Sequence, residues 1–231
     1  MTGIRAFVLC GGRGTRLQPV LPNTPKFLAP IGKRRFADHL LDYLQKQNVR
    51  DVVLCTGYGA DQIEEYCQSG NKWGITIQYS RELSPMGTAG ALKVAERFFL
   101  SDSLVLNGDS LINGPFEPII QSHVVRRAKM TVAIVRVPDV SRFGCVGMNE
   151  LGMIERFNEK ATKGPGMINA GYYVINPSVI RELPPDKTAS LELDIIPTLI
   201  GHGLFGTELH AQLRDIGTPS DLQSSGADFG Y

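Results

Sequence analysis

A glycine-rich loop near the start of the chain carries the residues best suited to chemistry. An apolar run from Ile4 to Cys10 predicts a buried parallel strand, and three glycines follow it within four residues. Backbone N–H groups of glycines can approach an anionic ligand closely, because no Cβ stands in the way. Arg16 and Lys26 place two positive charges just beyond the loop. The strand, the loop and the two cations together predict a binding site for a triphosphate.

The spacing of the glycines excludes two common phosphate-binding loops. Leu17 stands where the dinucleotide-binding fingerprint G-x-G-x-x-G requires its third glycine. The P-loop pattern G-x-x-x-x-G-K-[S/T] occurs nowhere in the chain. The alternative interpretation is a tight strand-to-helix turn that binds nothing, and the two nearby cations weigh against it.

Two aspartates stand at the ends of apolar, strand-like runs. Asp109 follows the run Ser103–Asn107, Asp215 follows a later run, and each lies beside a glycine turn. In open α/β sheets, ligands bind at the carboxyl ends of the strands. A carboxylate beside a triphosphate is a natural ligand for Mg²⁺. Either aspartate alone could simply belong to a turn, but two of them favour a shared metal site.

Three further motifs are weaker candidates, because each has an ordinary structural explanation. Gly87 lets the backbone approach a flat ligand and Thr88 can cap the helix that follows, but a capped helix start needs no ligand. Lys160, beside Glu159, could hold a substrate phosphate or form a solvated charge pair. The Asn169 amide could meet a sugar hydroxyl, or its segment could be a bulged strand. The four histidines show no spacing that predicts a catalytic arrangement.

The elements that must position these residues alternate between strand and helix over the first 140 residues. The apolar patterns predict strands at Ile4–Cys10, Asp51–Thr56, Ile75–Tyr79, Ser103–Asn107 and Met130–Val137. They predict helices at Phe36–Gln47, Ala60–Cys67, Thr88–Phe99 and Phe116–Arg127. This repetition predicts an α/β fold, a Rossmann-like and mostly parallel sheet with helices on both faces.

The pattern becomes richer in strands after this point. Cys145–Met148 and Met153–Phe157 flank a hairpin-like turn, and Ile168–Ile175 and Glu208–Ile216 are further strand-like runs. Ser190–Gly201 reads as a helix with Ser190 as its cap. A small β-rich insertion is therefore expected at one end of the sheet. Since no linker or repeat interrupts residues 1–231, we expect a single domain with a frayed tail at residues 226–231.

The composition of the chain indicates a globular protein and argues against binding to nucleic acid or to a membrane surface. Hydrophobic residues make up 42% and charged residues 20% of the chain, which is typical of a soluble globular protein. The formal net charge of +1 gives no electrostatic footprint for nucleic acid or for a membrane surface. The chain shows neither a basic apolar leader nor a long apolar run, and its four cysteines include no C-x-x-C pair. We expect a cytoplasmic protein with reduced thiols.

Seven motifs, taken in their order along the chain, resemble those of the sugar-1-phosphate nucleotidylyltransferases. They are Gly11–Leu17, Thr24–Lys26, Gly87–Leu92, Asn107–Asp109, Phe157–Lys160, Asn169–Gly171 and Asp215–Pro219. The resemblance covers residues 4 to about 225 and implies a GT-A-like nucleotidyltransferase fold whose β-rich insertion binds the sugar. Enzymes of this family join a nucleoside triphosphate to a sugar 1-phosphate and release pyrophosphate.

The resemblance also implies roles for individual residues. The nucleotide-binding positions are Leu9, Gly11, Gly12, Gly14, Thr15, Gly87, Thr88 and Asn107. Arg16, Lys26 and Asp109 are the implied catalytic residues, with Asp109 and Asp215 holding Mg²⁺. The implied sugar-phosphate positions are Gly144, Glu159, Lys160, Asn169 and Gly171. Because a sugar phosphate has a second pKa of about 6, it is already an anionic nucleophile and needs no general base.

Within the family, the motif Gly87–Gly90 and the segment Ser190–Pro197 resemble the branch that uses GTP. This implies GTP as a substrate. The segments Leu9–Gly12 and Lys26–Ile31 resemble enzymes that use D-glycero-α-D-manno-heptose 1-phosphate, which implies GDP-heptose as product and a role in lipopolysaccharide, capsule or S-layer glycan synthesis. Mannose 1-phosphate, or another sugar 1-phosphate, is the alternative acceptor. A non-catalytic regulatory paralogue is the alternative of a different class. The apolar helix predicted at Ser190–Gly201 is compatible with a homo-oligomer.

Overall fold

The computed structural model describes residues 3–158 and 163–224. Its strands are β1 Arg5–Leu9, β2 Pro30–Ile31, β3 Arg34–Arg35, β4 Asp51–Thr56, β5 Thr76–Arg81, β6 Ser103–Asn107, β7 Ser110–Asn113, β8 Met130–Val137, β9 Cys145–Met148, β10 Ile154–Asn158, β11 Gly166–Ile175, β12 Leu204–Glu208 and β13 Gln212–Asp215. Its α-helices are α1 Phe36–Lys46, α2 Ala60–Cys67, α3 Gly87–Val94, α4 Glu117–Arg126, α5 Pro177–Arg181, α6 Ile196–Leu199 and α7 Pro219–Ser224. Short 3₁₀ turns lie at Thr15–Leu17, Lys26–Leu28, Asn71–Trp73 and Glu96–Phe98, and a π-turn lies at Leu191–Ile195.

The central sheet has nine strands. Strand β1 pairs in parallel with β4 on one side and β6 on the other, and β4 pairs in parallel with β5. Beyond β6, strand β11 runs antiparallel to both β6 and β8, and β12 pairs in parallel with β8. The sheet is therefore mostly parallel, as the alternating pattern predicts.

Helices cover both faces of the sheet, which confirms the predicted layering. Successive residues of a strand point to opposite faces, so a strand covered on both sides is apolar throughout. In β1, Val8 packs into a core with Leu40 of α1 and Ile63 of α2. The neighbouring Phe7 packs into a second core with Leu92 of α3 and Ile196 of α6.

The β-rich part after residue 140 contains the predicted hairpin. Strands β9 and β10 pair antiparallel, and β9 joins the sheet where Cys145 lies opposite Ile168 of β11. The prediction of a single strand over Glu208–Ile216 is wrong. The chain instead forms β12, leaves the sheet, and forms β13, which pairs with β7. Gly206 interrupts the apolar pattern of β12, and a Cβ at this position would crowd Met148 Sδ and Ile134 Cγ1.

Two predicted helices are shorter than the sequence indicated. The helix predicted at Ser190–Gly201 is a five-residue π-turn followed by the four-residue α6. Ser190 does cap this segment, since its Oγ accepts hydrogen bonds from the N–H groups of Glu192 and Leu193 at 3.2 Å. The helix predicted at Thr88–Phe99 begins at Gly87 and leaves α geometry after Val94. The tail at 226–231 lies outside the described residues.

Candidate active site

The loops that follow the parallel strands enclose a cavity of about 620 Å³ at the carboxyl edge of the sheet. Its walls come from the loops after β1, β4, β5 and β6, as expected for a ligand site in an open α/β sheet. Among the predicted nucleotide-binding residues, those that line it are Leu9, Gly11, Gly12, Gly87, Thr88 and Asn107. The structure therefore brings together residues from distant parts of the sequence.

A second cavity of about 260 Å³ adjoins the first, since Leu9, Gly12 and Asp109 line both. The remaining predicted residues of the loop lie here: Gly14, Thr15, Arg16 and Lys26. The first cavity has room for a base and ribose. The second contains Arg16 and Lys26, and two cations at one cavity attract an anionic ligand.

The two adjacent glycines of the loop have different surroundings. A Cβ on Gly12 would meet no atom within 4 Å, so the backbone there is open to a ligand. A Cβ on Gly11 would lie 3.0 Å from both Gly57 N and Glu82 Oε1, so Gly11 is needed for packing against the β4 and β5 loops. Gly14 has a φ of +58°, which favours glycine at the start of the 3₁₀ turn.

Lys26 stands between the two predicted metal ligands. Its Nζ lies 2.6 Å from Asp109 Oδ2 and 3.7 Å from Asp215 Oδ1. The register of β13 on β7 brings the aspartates together, and Ile216 N donates to Asp109 O at 3.1 Å. Burial raises the pKa of Asp215, and repulsion from Asp109 raises it further, while Lys26 and Arg16 oppose the shift.

Asp109 and Asp215 offer oxygen ligands of the kind that Mg²⁺ prefers. Mg²⁺ commonly takes one or two protein carboxylates and completes its shell with phosphate oxygens and water. Within residues 3–158 and 163–224, no group of three or more His, Cys, Asp and Glu residues could hold a metal by itself. Asp109 repels the half-buried Asp215, and a bound cation would relieve this repulsion.

Gly87 and Thr88 contact the chain segment that precedes α6. Gly87 has a φ of +73°, and a Cβ on it would overlap Ala189 O, so both strain and packing require glycine. The prediction that Thr88 caps α3 is wrong, because the helix already begins at Gly87. Instead, the Thr88 hydroxyl donates to Glu192 Oε2 at 2.9 Å and accepts from Leu191 N at 2.7 Å.

The predicted sugar-site residues of β11 surround a bulge in its pairing with β8. Asn169 Oδ1 accepts from Gly171 N at 2.9 Å, and its Nδ2 donates to the Tyr173 hydroxyl at 2.7 Å. Gly171 has a φ of +74°, and a Cβ there would lie 2.7 Å from Asn107 Nδ2. Gly144 is half-buried just before β9, whereas Glu159 and Lys160 lie outside the described residues.

Sequence reasoning missed Glu82, which follows β5 and lines the larger cavity. Its Oε2 accepts from Met86 N at 3.2 Å, and burial raises its pKa. Tyr58 and Arg13 also line this cavity without having been singled out. The position of Glu82 at the end of a parallel strand is the same signal that identified Asp109, and it could have identified this residue too.

The carboxyl edge of the sheet thus combines a glycine loop at the end of β1, two adjoining cavities and a lysine between two carboxylates. Residues 5–229 match the family model described as nucleotidyl transferase, and the chain belongs to that family. None of the helices in the described part of the chain is long and apolar enough to span a bilayer.

Two kinds of relative share about a third of their residues with this chain. It is 34% identical over 230 residues to mannose-1-phosphate guanylyltransferase of Mycobacterium tuberculosis, a match that covers 97% of this chain and 64% of the relative. It is 33% identical over 189 residues to D-glycero-alpha-D-manno-heptose 1-phosphate guanylyltransferase of Campylobacter jejuni, covering 82% of this chain and 83% of the relative. The chain thus spans less than two thirds of the mannose relative.

Solved structures support the same family. HddC from Yersinia pseudotuberculosis superposes with a TM-score of 0.89 at 30% identity, covering 98% of this chain and 100% of that one. The complex of HddC with GMP-PN gives a TM-score of 0.88 over the same shares. These likenesses confirm the α/β nucleotidyltransferase fold that the motifs implied.

Proposed function

We propose that the protein transfers GMP from GTP to a sugar 1-phosphate, giving a GDP-sugar and pyrophosphate. The observation that carries this proposal is the 2.6 Å contact between Lys26 and Asp109, with Asp215 beside them, facing the cavity that the glycine loop lines. The guanylyltransferase names of both relatives and the GMP-PN complex of HddC support the choice of nucleotide.

In this reaction an oxygen of the sugar phosphate attacks the α-phosphorus of GTP. The new P–O bond forms as the bond from the α-phosphorus to the oxygen bridging the β-phosphorus breaks, and pyrophosphate leaves with that electron pair. The nucleophile is already anionic near neutral pH, because its second pKa is about 6. The chain must therefore bring two polyanions together in line rather than supply a base.

Two cations of the second cavity can hold the two polyanions together. Arg16 and Lys26 neutralise phosphate charge, and the open backbone at Gly12 can donate to phosphate oxygens. Asp109 and Asp215 would hold Mg²⁺, which supplies further charge neutralisation when it is bound. With Lys26 fixed between these carboxylates, its charge is in place before the substrates arrive.

Glu82 supports guanine as the base. Guanine presents N1–H and N2–H₂ donors on its pairing edge, and a carboxylate accepts from two donors side by side. Glu82 lies in the wall of the larger cavity and uses Oε2 for Met86 N, which orients the carboxylate. Adenine presents an acceptor at N1, so it would leave the carboxylate facing a lone pair.

For the acceptor we propose D-glycero-α-D-manno-heptose 1-phosphate. The match to the Campylobacter jejuni heptose relative covers 83% of that protein, whereas the match to the Mycobacterium tuberculosis mannose relative covers 64%. Mannose 1-phosphate is the second candidate, because that relative is slightly more identical and matches 97% of this chain. On this proposal the enzyme acts in the cytoplasm and feeds the synthesis of a surface glycan.

A screen of pyrophosphate release tests the proposal. The four nucleoside triphosphates are each incubated with heptose, mannose or glucose 1-phosphate and Mg²⁺, and the nucleotide sugar is identified by mass spectrometry. We expect GTP with heptose 1-phosphate to give the highest kcat/KM. A preference for mannose 1-phosphate would correct the acceptor, and a preference for UTP or dTTP would correct the base. No release with any pair would overturn the transferase.

A further inference from the structure

The turn after β4 packs directly against the segment that carries Lys26. Gly59, the residue before α2, has a φ of +66° and faces the buried Pro25, the residue before Lys26. A Cβ on Gly59 would overlap Pro25 Cγ and would lie 3.1 Å from its Cδ and 3.3 Å from its Cβ. The backbone of Gly59 therefore rests on the proline ring.

The same turn holds the neighbouring segments through hydrogen bonds. Gln62 Nε2 donates to Asn23 O at 3.0 Å, just before Pro25. Tyr58 N donates to Gly11 O at 2.9 Å, within the glycine loop. The turn and the first residues of α2 thus contact both the glycine loop and the segment that precedes Lys26.

Lys26 is confined from the opposite side as well. A Cβ on Gly14 would lie 3.3 Å from Lys26 Cβ, so the glycine loop leaves the lysine stem little space. The Lys26 side chain is only 12% exposed, and both of its ion-pair partners lie on strand ends behind it. A shift of the segment 23–26 therefore moves Nζ away from the carboxylates.

We infer that Gly59 is a positioning residue for Lys26: its contact with Pro25 fixes where the ammonium group meets Asp109 and Asp215. A proline ring has a fixed φ and cannot rotate away as a flexible side chain can. A side chain at position 59 must therefore displace the backbone at Pro25, and Lys26 is the next residue. The inference rests on the proposed function, because only in that function does the position of Lys26 affect the rate of catalysis.

A matched glycine separates this contact from backbone strain. Gly74 has the same φ of +66°, and the nearest atom to a Cβ there is Arg50 Nη1 at 3.9 Å. Gly74→Ala thus introduces the strain of a left-handed alanine without a collision. Gly59→Ala introduces both the strain and the overlap with Pro25.

The experiment compares Gly59→Ala, Gly74→Ala, Pro25→Ala and the double variant Gly59→Ala/Pro25→Ala. We expect both glycine variants to remain folded at the assay temperature, with the larger loss of Tm in Gly59→Ala because of the overlap with Pro25. The value of kcat should fall about 30-fold or more in Gly59→Ala alone, because a misplacement near 1 Å costs about 100-fold in catalysis. The KM for GTP should stay within about threefold. Removing the proline ring should return kcat of the double variant to within about threefold of Pro25→Ala.

A measurement that needs no substrate tests the position of Lys26 independently of the proposed function. Competitive acetylation with mass spectrometry measures the reactivity of Lys26, which its ion pairs and burial keep low. We expect Gly59→Ala to raise the acetylation rate of Lys26 several-fold and Gly74→Ala to leave it unchanged. If the wild-type protein shows no transferase activity, the proposed function fails, and acetylation still decides whether Gly59 positions Lys26.

Two results would overturn the inference. One is equal kcat and equal Lys26 acetylation in Gly59→Ala and Gly74→Ala. The other is a kcat loss that Pro25→Ala does not rescue, accompanied by a raised KM for GTP, which would show that the new methyl group fills the nucleotide cavity instead.

Discussion

The hydroxyl of Thr88 donates a hydrogen bond to Glu192 Oε2 at 2.9 Å across 104 positions of the chain. Glu192 also accepts from the Ser190 hydroxyl at 2.9 Å and from the Tyr173 hydroxyl at 3.0 Å. Tyr173 in turn accepts from Asn169 Nδ2. One carboxylate therefore connects the wall of the nucleotide cavity to the strand predicted to contact the sugar.

Glu192→Gln is expected to weaken this connection, because an amide nitrogen cannot accept the hydrogen bonds that a carboxylate oxygen accepts. The free energy of unfolding should fall by about 1–3 kcal/mol, the cost of leaving a part-buried polar group unpaired. Urea unfolding measures the change. The exposed Glu182→Gln is the control, and equal stability of the two variants would contradict the network.

Lys26→Ala should lower kcat by about 100-fold or more, since it removes a charge placed on the transferring phosphates. Circular dichroism should show a folded protein, because Lys26 belongs to neither apolar core and the variant loses only its ion pairs with Asp109 and Asp215. Steady-state kinetics with GTP and heptose 1-phosphate measure the loss. Lys33→Ala, at an exposed position, is the matched control. Near-normal turnover in Lys26→Ala would exclude the phosphate role.

Asp109→Asn and Asp215→Asn should each cut activity severely and raise the Mg²⁺ concentration needed for half-maximal rate. An amide keeps the shape of the side chain but lacks the anionic oxygen that Mg²⁺ prefers. The double variant should cost less than the sum of the two free-energy losses, because both side chains serve one ion. Strict additivity would indicate separate sites. The exposed Asp186→Asn is the control.

The stability of the protein should depend on the charge of Asp215. Its pKa is raised in the fold, chiefly by burial and then by Asp109, so the folded state favours the protonated form. The stability that it contributes is complete below the ordinary value of 3.8 and is lost as the pH rises through the raised pKa. Without divalent ions, Asp215→Asn should therefore have a higher Tm than wild type at pH 7. Calorimetry that finds a lower Tm would contradict this.

Glu82→Gln should lower kcat/KM for GTP and narrow the preference for GTP over ATP, because the amide NH₂ can donate to adenine N1. In the wild type, two unpaired groups at about 1–3 kcal/mol each imply a GTP preference over ATP of roughly 30-fold to 10⁴-fold. An amide in place of the carboxylate turns one acceptor into a donor that faces guanine donors. The exposed Glu150→Gln is the control. An unchanged GTP-to-ATP ratio in Glu82→Gln would remove Glu82 from base recognition.

The strands that position the site were predictable because they are short, apolar and parallel. The predicted bounds Asp51–Thr56 and Ser103–Asn107 agree with β4 and β6 in the structure. The carboxyl ends of such strands meet at one edge, so the glycine loop and Asp109 had to lie near each other. Asp215 lies beside them because β13 pairs with β7, and strand β7 was not predicted from the sequence.

What could not be predicted depends on contacts between distant segments. The role of Thr88 is set by Glu192, which no local pattern connects to it. Gly59 is required by Pro25 on another loop, and only the assembled structure shows that contact. Helix and strand periodicities report which face of an element is buried, but they contain no information about which segment covers it.

Because β13 pairs with β7, the two aspartates become available at different times during synthesis of the chain. Asp109 and the glycine loop are synthesised early, whereas Asp215 emerges only after strands β8 to β12 have been made. Synthesis adds about 5–20 residues per second, so a nascent chain holds the glycine loop and one carboxylate for several seconds before the second carboxylate exists. Translation thus delays the proposed metal site until strand β11 has been synthesised.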